Sequence, residues 1–416
     1  MTTQTTDRID GLDLAEVDLF DPRWHRDGPP HALLARVRRE APVRWNPRPD
    51  GTGCWTVLAH ADVAAASRDF ETFSSWEGGV FLHPDQAASL DVMRNMLLFM
   101  DPPQHTQYRQ ILQRAFTPHA VRQLEGLVLN RCTRAIDAFV ERGQADLVSE
   151  YAMPVPLGVI CDLLGIPDED IPMFLEWTEQ MEESTRAAEP ETAMGLLGEQ
   201  MEYIVGLVAR HQAEGRTDTI LETLRGAEVD GRPINDLEIV VFFALLTFAG
   251  HDTTRNTTAT GMLALLRHPD QLQEIIDDPG LVPAAVEEIL RYTSVVHWFA
   301  RTATRDTELG GVPIAKGDKV ALWYTSASRD EALFDDPDRF DIHRDKPDHD
   351  AFGGGGRHFC LGSGLARLQL QVNLEQLTRR LRDLRLAGEA EYIESSWTHA
   401  LTTLPVTFTP GTRAGD

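Results

Sequence analysis

Ala351-Phe352-Gly353-Gly354-Gly355-Gly356-Arg357-His358-Phe359-Cys360-Leu361-Gly362 decides how the rest of the chain is read. Four consecutive glycines give up a great deal of chain entropy on folding. Such a run is kept where backbone must pass very close to something else. A phosphate is one such neighbour, but neither G-x-x-x-x-G-K-[ST] nor G-x-G-x-x-G fits. A lone cysteine follows, at the start of a helix predicted from Leu361 to about Leu381. There a thiolate would be stabilised by the helix N-terminus and by free backbone N–H groups. A flat ligand with a metal at its centre, lying against glycine backbone, suits that thiolate. The plain alternative is a buried structural cysteine after a flexible loop, because free cysteine is commonly buried.

Outward from this loop the pattern is mostly helical. Between about residues 100 and 295 apolar residues recur at three and four, as in Leu124, Leu127, Val128 and Ile136, Phe139, Val140. Strand-like runs lie at Cys54–Ala59, Val312–Tyr324 and from Leu384 to the end. Strands near both ends, with no strand–helix alternation, predict a mostly α fold with small antiparallel β-sheets and argue against a doubly wound sheet. One helix dominates. Asn235 can cap it, Glu238 completes a capping box, and Pro269 ends it after Arg267 or His268. Its ~32 residues would span ~48 Å. Val240–Phe248 is apolar nearly all round, so the helix is expected to run buried through the centre of a large domain. Residues 1–28 read as an irregular arm and 29–416 as a single domain, with no internal repeat and no low-complexity linker. Length alone, at ~150 residues per domain, would allow two or three.

Charge narrows the partners. The chain carries 39 basic and 65 acidic residues, a net of −26. That argues against nucleic acid or an anionic membrane, which attract basic surfaces. The cysteines at 54, 132, 161 and 360 form no C-x-x-C pair, so neither a zinc site nor a disulfide scaffold is expected. Met1–Phe20 is polar and acidic, unlike a signal peptide. The longest apolar run, Ile239–Ala249, is too short to cross a bilayer. No membrane span and a reducing cytoplasmic setting are expected.

The cysteine loop closely resembles the haem-binding signature of the cytochrome P450 monooxygenases. The resemblance spans about residues 30 to 410. It implies the P450 fold, with the long central helix over haem b (iron protoporphyrin IX), and it makes Cys360 the metal ligand. Phe352 stands eight residues before Cys360, where the common signature has its aromatic seven before, because one glycine is added. That departure resembles a bacterial subset acting on steroids and methyl-branched lipids. Within the long helix, Ala249-Gly250-His251-Asp252-Thr253-Thr254 interrupts an apolar face. Gly250 removes bulk so that a ligand can approach the backbone. The stretch resembles the family's oxygen-binding segment, which implies that Thr253 stabilises bound dioxygen and Asp252 relays protons, the two catalytic residues. Read without that context, Thr253 can equally bond back to the carbonyl four residues earlier.

Further haem contacts follow by position. His105 and Arg109, at i and i+4 behind Pro102-Pro103, Arg301, and His358 match family positions that hydrogen-bond propionates. Ala249, Gly250, Phe352, Gly353 and Gly362 complete the implied contacts. Glu288-Ile289-Leu290-Arg291 and Pro337-Asp338-Arg339-Phe340 resemble the family's structural lock, in which Arg339 joins Glu288 and Arg291 behind the cysteine loop.

The implied reaction is insertion of one oxygen atom of O2 into a C–H bond. The pocket regions map to Trp76–Phe99, Met173–Met201, Phe243–Thr247 with Val295–Phe299, and Trp397–Ala400. They are rich in Met, Trp, Phe and Val, with His251, His297 and His399 as candidate hydrogen-bonders. A small apolar substrate is expected, with a steroid, terpenoid or branched lipid ahead of a macrolide, polyketide or peptide. The chain has no flavin or nicotinamide motif, so electrons would come from a separate ferredoxin with its reductase. Arg357 and Arg367 beside the cysteine can either form a basic docking patch or bind internal carboxylates. The rival readings are a haem carrier without turnover and a peroxide-driven enzyme. The Asp252-Thr253 pair speaks against both.

Overall fold

The computed structural model describes residues 9–48, 51–82, 90–91, 93–187, 190–345 and 347–414. Six helices frame the site: α1 (His60–Arg68), α2 (Gln104–Gln113), α3 (Pro154–Leu164), α4 (Asp236–Arg267), α5 (Val282–Thr293) and α6 (Ser363–Arg380). Local chemistry sets their ends. Asn235 accepts from the Glu238 amide and Glu238 accepts from the Asn235 amide, so the capping box that starts α4 is complete. Pro269 begins the next helix, and α4 stops at Arg267 as its sequence predicts. Pro154 fits the first turn of α3, and Gly165, in the left-handed region, ends it. The helix after the cysteine begins at Ser363, two residues later than expected.

Helix α4 is the axis of the fold. Val240, Val241, Phe242 and Phe243 near its start, and Ala259, Met262, Leu263 and Leu265 near its end, are buried. Its later half packs in one apolar cluster with Val155 and Val159 of α3, Ile289 of α5 and Leu370, Leu374 and Leu377 of α6. Its earlier half packs with Leu157, Ile160 and Leu164, on the other side of α3. An α3 buried on both sides explains why almost every residue in it is apolar. Helix α4 is long and apolar enough to span a bilayer, which the short run Ile239–Ala249 had not suggested. Its most apolar window is, however, 61% buried against the rest of the protein, as the core helix of a folded domain is.

The largest sheet has five strands, β1 (Val43–Pro47), β2 (Gly53–Val57), β3 (Phe73–Ser74), β4 (Trp298–Ala303) and β5 (Lys319–Trp323), in the order β1-β2-β5-β4-β3. All its pairs are antiparallel except β5 with β2, which is parallel. The run Val312–Tyr324 divides into Val312–Ile314 and β5, split at the Lys316-Gly317 turn. The segment after Leu384 supplies short antiparallel strands. After helical residues 9 and 10, the described part of the N-terminal arm has short 3-10 turns at Leu14–Glu16 and Pro22–His25. Even so, Ile9, Val17, Leu19 and Phe20 are buried against Leu33, Trp298 and Trp323.

Candidate active site

Gly353, Gly354, Gly355 and Gly356 all lie in the left-handed region, with φ of 99°, 64°, 85° and 73°. Two of them owe their bare backbone to protein rather than to a ligand. A Cβ on Gly356 would lie 2.2 Å from the Ser67 carbonyl oxygen of α1, and one on Gly354 would lie 2.6 Å from Ser67 Oγ. This corrects the expectation that the whole run lies against a flat group. Gly353 and Gly362 do face open space: a Cβ at Gly362 would meet nothing within 4 Å, and one at Gly353 only the His358 carbonyl at 3.9 Å.

The loop folds back through the Cys360 amide, which donates to the Phe352 carbonyl at 3.0 Å. Phe352 is buried beneath the Arg367 guanidinium, 4.6 Å from its ring centre. Cys54, Cys132 and Cys161 are fully buried, and desolvation pushes their thiols up to about 12, 11 and 12. Cys360 is only partly covered. Burial raises its thiol too, but the Gly362 amide and the charges of Arg109 and Arg367 pull in the opposite direction.

Four basic side chains converge beside this sulfur. The rings of His105 and His358 lie 4.4 Å apart. His358 Nε2 is 3.1 Å from Ser75 Oγ, Arg109 donates to the Phe359 carbonyl at 2.7 Å, and Arg301 donates to the Ala300 carbonyl at 2.7 Å. Among the described residues none of the four pairs with a carboxylate, in a protein of net charge −26. His105 is 1% exposed, and neither of its ring nitrogens has a hydrogen-bond partner. Burial, and then the charges of Arg109, Arg357 and Arg301, hold it down to about 4. Burial together with Arg301, His105 and Arg109 keeps His358 well below its ordinary value. An orphaned imidazole among uncompensated cations is a site built for an anion. The two propionates of haem b fit it, and the partly covered sulfur nearby fits the iron.

In α4, Ala249 is exposed and Thr253, one turn on, partly so, whereas Thr247, His251, Asp252 and Thr254 are buried. The helix therefore turns the Ala249–Thr253 stripe toward open space. Thr253 Oγ1 donates to the Ala249 carbonyl at 3.0 Å, the local back-bond that was the alternative reading. Asp252 accepts from Asn256 Nδ2 at 3.1 Å and lies 3.5 Å from Arg255. A Cβ at Gly250 would lie 2.9 Å from Ile160 Cδ1, so its missing side chain lets α3 pack closely against α4.

Aromatic rings form a wall beside this stripe. Phe248 stacks on Trp397 at 6.1 Å, and Phe81 lies 5.8 Å from Phe99, 6.1 Å from Phe299 and 5.9 Å from Trp397. Three of the four expected pocket regions thus supply this wall. From the fourth, Phe174 instead packs on Phe243 of α4 at 5.8 Å. Residues 83–89, 92 and 188–189 of the expected regions lie outside the described residues. The histidines expected to offer hydrogen bonds to a ligand are occupied or enclosed. His297 Nδ1 meets Thr325 Oγ1 at 2.8 Å, His399 Nδ1 meets the Thr293 carbonyl at 2.9 Å, and His251 is buried and held down to about 3 by desolvation.

Behind the loop, Arg291 and Glu288 form a bidentate pair at 2.8 Å on both arms, each side chain essentially unexposed. Arg291 also donates to the carbonyls of Pro337 and Arg339. The arginine that joins Glu288 is Arg344, at 3.3 Å; Arg339 points outward to Asp341, with 63% of its side chain exposed. The sequence reading missed Arg344, whose only local signal is its place four residues after Phe340. Arg367 is bound bidentately by Glu287 at 2.6 and 2.9 Å, which removes it from a free docking patch. Arg357 remains exposed, 5.6 Å over the Phe70 ring.

Known proteins resemble this chain in sequence and fold. The family profile described as Cytochrome P450 matches residues 193–401. Methyl-branched lipid omega-hydroxylase of Mycobacterium bovis is 38% identical, with 98% of this chain and 99% of that protein covered. Steroid C26-monooxygenase of Rhodococcus jostii is 35% identical, with 92% and 83% covered. Among solved structures, CYP108D1 from Novosphingobium aromaticivorans superposes with a TM-score of 0.86 at 32% identity, covering 99% of each chain.

Proposed function

The chain belongs to the cytochrome P450 family and is a haem b-dependent monooxygenase, and from that premise we propose that it hydroxylates a methyl-branched lipid, steroid or terpenoid. The overall reaction consumes the C–H compound, O2, two electrons and two protons, and yields the alcohol and water. Electrons come from a separate ferredoxin with its reductase, and the four unpaired cysteines suit a reducing cytoplasm. Residues 29–416 act as one haem-thiolate domain. The observation that carries the proposal is the partly buried Cys360 near four basic side chains, His105, Arg109, Arg301 and His358, none of which pairs with a carboxylate among the described residues.

Haem b, when bound, supplies a thiolate-ligated iron that activates O2 toward C–H bonds. The residues do the rest. Cys360 would hold the metal, and the Gly362 amide with Arg109 would temper the charge on its sulfur. His105, Arg109, Arg301 and His358 take the propionates, with Ser75 fixing the His358 ring. Ala249, Gly353 and Gly362 leave room for the flat ring, and Phe352 supports the loop from behind. Gly250 is reassigned to the packing of α3 on α4. Thr253, whose hydroxyl rests on the Ala249 carbonyl, would be free to donate toward the haem face when the group is bound, and Asp252, held by Arg255 and Asn256, would relay protons to that hydroxyl. The aromatic wall excludes water and selects an apolar substrate. Its relatives named for branched-lipid and steroid oxidation support that class.

Absorption of the reduced, CO-bound protein tests the assignment. A red-shifted Soret band is expected, and an imidazole-like spectrum would reject Cys360. Steroids, terpene alcohols and methyl-branched fatty acids are then screened for a low-to-high-spin shift. Silence in all three classes overturns the substrate proposal. Turnover with ferredoxin and reductase, set against turnover with hydrogen peroxide, tests the electron source.

A further inference from the structure

Lys319 opens the interior strand β5 and reaches past β4 to the segment that follows β3. Its ammonium group donates to the carbonyls of Gly78, of Gly79 at 3.0 Å and of Phe81 at 3.4 Å. An ammonium carries three N–H donors, and here each meets a carbonyl of the same short segment. Gly78 and Gly79 lie in the left-handed region, with φ of 90° and 75°, a conformation few other residues adopt. The intervening Val80 carbonyl accepts from the Ala300 amide of β4 at 2.7 Å, and the Leu82 carbonyl accepts from Arg48 at 3.5 Å. Carbonyls 78 through 82 therefore all accept from the sheet side, and Lys319 serves three of the five. Burial lowers the Lys319 amine to about 8, so it is still cationic at neutral pH.

This segment joins the two halves of the site. It begins just after Ser75, which meets His358 of the propionate cluster, and it carries Phe81 into the aromatic wall. We propose that Lys319 is a positioning residue for substrate: its ammonium group gathers the 78–81 carbonyls and thereby fixes Phe81 against Phe99, Phe299 and Trp397. The inference rests on the haem-thiolate reading, because the wall it shapes is that reading's substrate chamber. Without the cation, three carbonyls lose a charge-assisted donor and Phe81 loses its fixed place.

Two iron ligands of different reach test it in the haem-bound enzyme. Imidazole coordinates the metal alone, whereas the phenyl group of 4-phenylimidazole must also fit the aromatic wall. Lys319→Met is expected to raise the Kd for 4-phenylimidazole about tenfold while leaving that for imidazole within about twofold. Lys319→Arg, which keeps a cation, should recover most of the loss. Phe81→Ala should cause a similar loss, and the double variant no further loss, because the lysine acts through the ring. If Lys319→Met does not retain haem, Lys319→Gln takes its place with the same readouts. An unchanged 4-phenylimidazole Kd with an intact CO band, or full additivity with Phe81→Ala, overturns the proposal. Absence of the thiolate CO band from the wild-type protein would instead overturn the underlying haem-thiolate reading.

Discussion

The Thr253 hydroxyl donates to the Ala249 carbonyl, 3.0 Å away, on a stripe in the middle of α4 that faces open space. A back-bond of this kind is weak and local, so the hydroxyl can leave it. Thr253→Ala should therefore change stability by less than about 1 kcal/mol and leave the substrate-induced spin shift intact. Product formed per electron pair should fall at least about tenfold, with the balance released as peroxide. Thr253→Ser should restore coupling. Simultaneous assay of reductant consumed, product and peroxide decides it, and undiminished coupling in the alanine variant would remove Thr253 from proton delivery.

The glycine run gives a sharper contrast. Gly356 needs its positive φ of 73°, and an added Cβ would collide with the Ser67 carbonyl. Gly356→Ala should lower stability by at least about 2 kcal/mol and disorder the loop. Gly362 has an ordinary φ of −83° and open space where a Cβ would go. Gly362→Ala should leave the fold alone but crowd the ring beside Cys360. The expected signs are faster haem release to a scavenging globin and an unchanged urea midpoint. Equal behaviour of the two variants would mean that both glycines serve packing alone.

These glycines also mark the limit of what the chain discloses unaided. The bounds of α4 were legible because Asn235, Glu238 and Pro269 act on their own neighbours. The cysteine loop was legible because its residue types are rare in that order. What Gly250 and Gly356 avoid was not, since Ile160 and Ser67 are brought to them only by tertiary packing. The same holds for His297 and His399, whose partners Thr325 and Thr293 belong to other parts of the chain. Lys319 gave no signal at all, because its acceptors are backbone carbonyls that any sequence could supply.

The lock behind the loop separates two arginines five residues apart. Arg344 lies 3.3 Å from Glu288, with only 11% of its side chain exposed, while Arg339 pairs with Asp341 at the surface and lends only its carbonyl to Arg291. Removing one partner of a buried ionic cluster strands the others, whereas an exposed pair contributes little. Arg344→Met should lower unfolding free energy by about 2–3 kcal/mol, near the low end for a buried pair because the contact is single. Arg339→Met should lower it by less than about 1 kcal/mol. Urea unfolding followed by the Soret band gives the order, and the reverse order would return the role to Arg339.

Glu287 supplies a pH signature. Burial alone would push its carboxyl up, but hydrogen bonds from His349 and Arg367 bring it down to about 2. A carboxylate held below its ordinary value of 4.5 stabilises the fold while it is ionised. The contribution is therefore complete above about 4.5 and is lost as pH falls from there through about 2. About a third of the Arg367 side chain is exposed, so solvent screening limits the effect to about 1–2 kcal/mol. Glu287→Gln should be less stable than wild type by that amount at pH 7. The gap should persist down to about pH 5 and narrow at pH 4 and again at pH 3. Because Arg367 also covers Phe352, the variant should broaden the Soret band of the haem-bound protein at every pH. A gap that instead widened toward acid pH would show that Glu287 is better tolerated protonated, and that the Arg367 contact does not hold the loop.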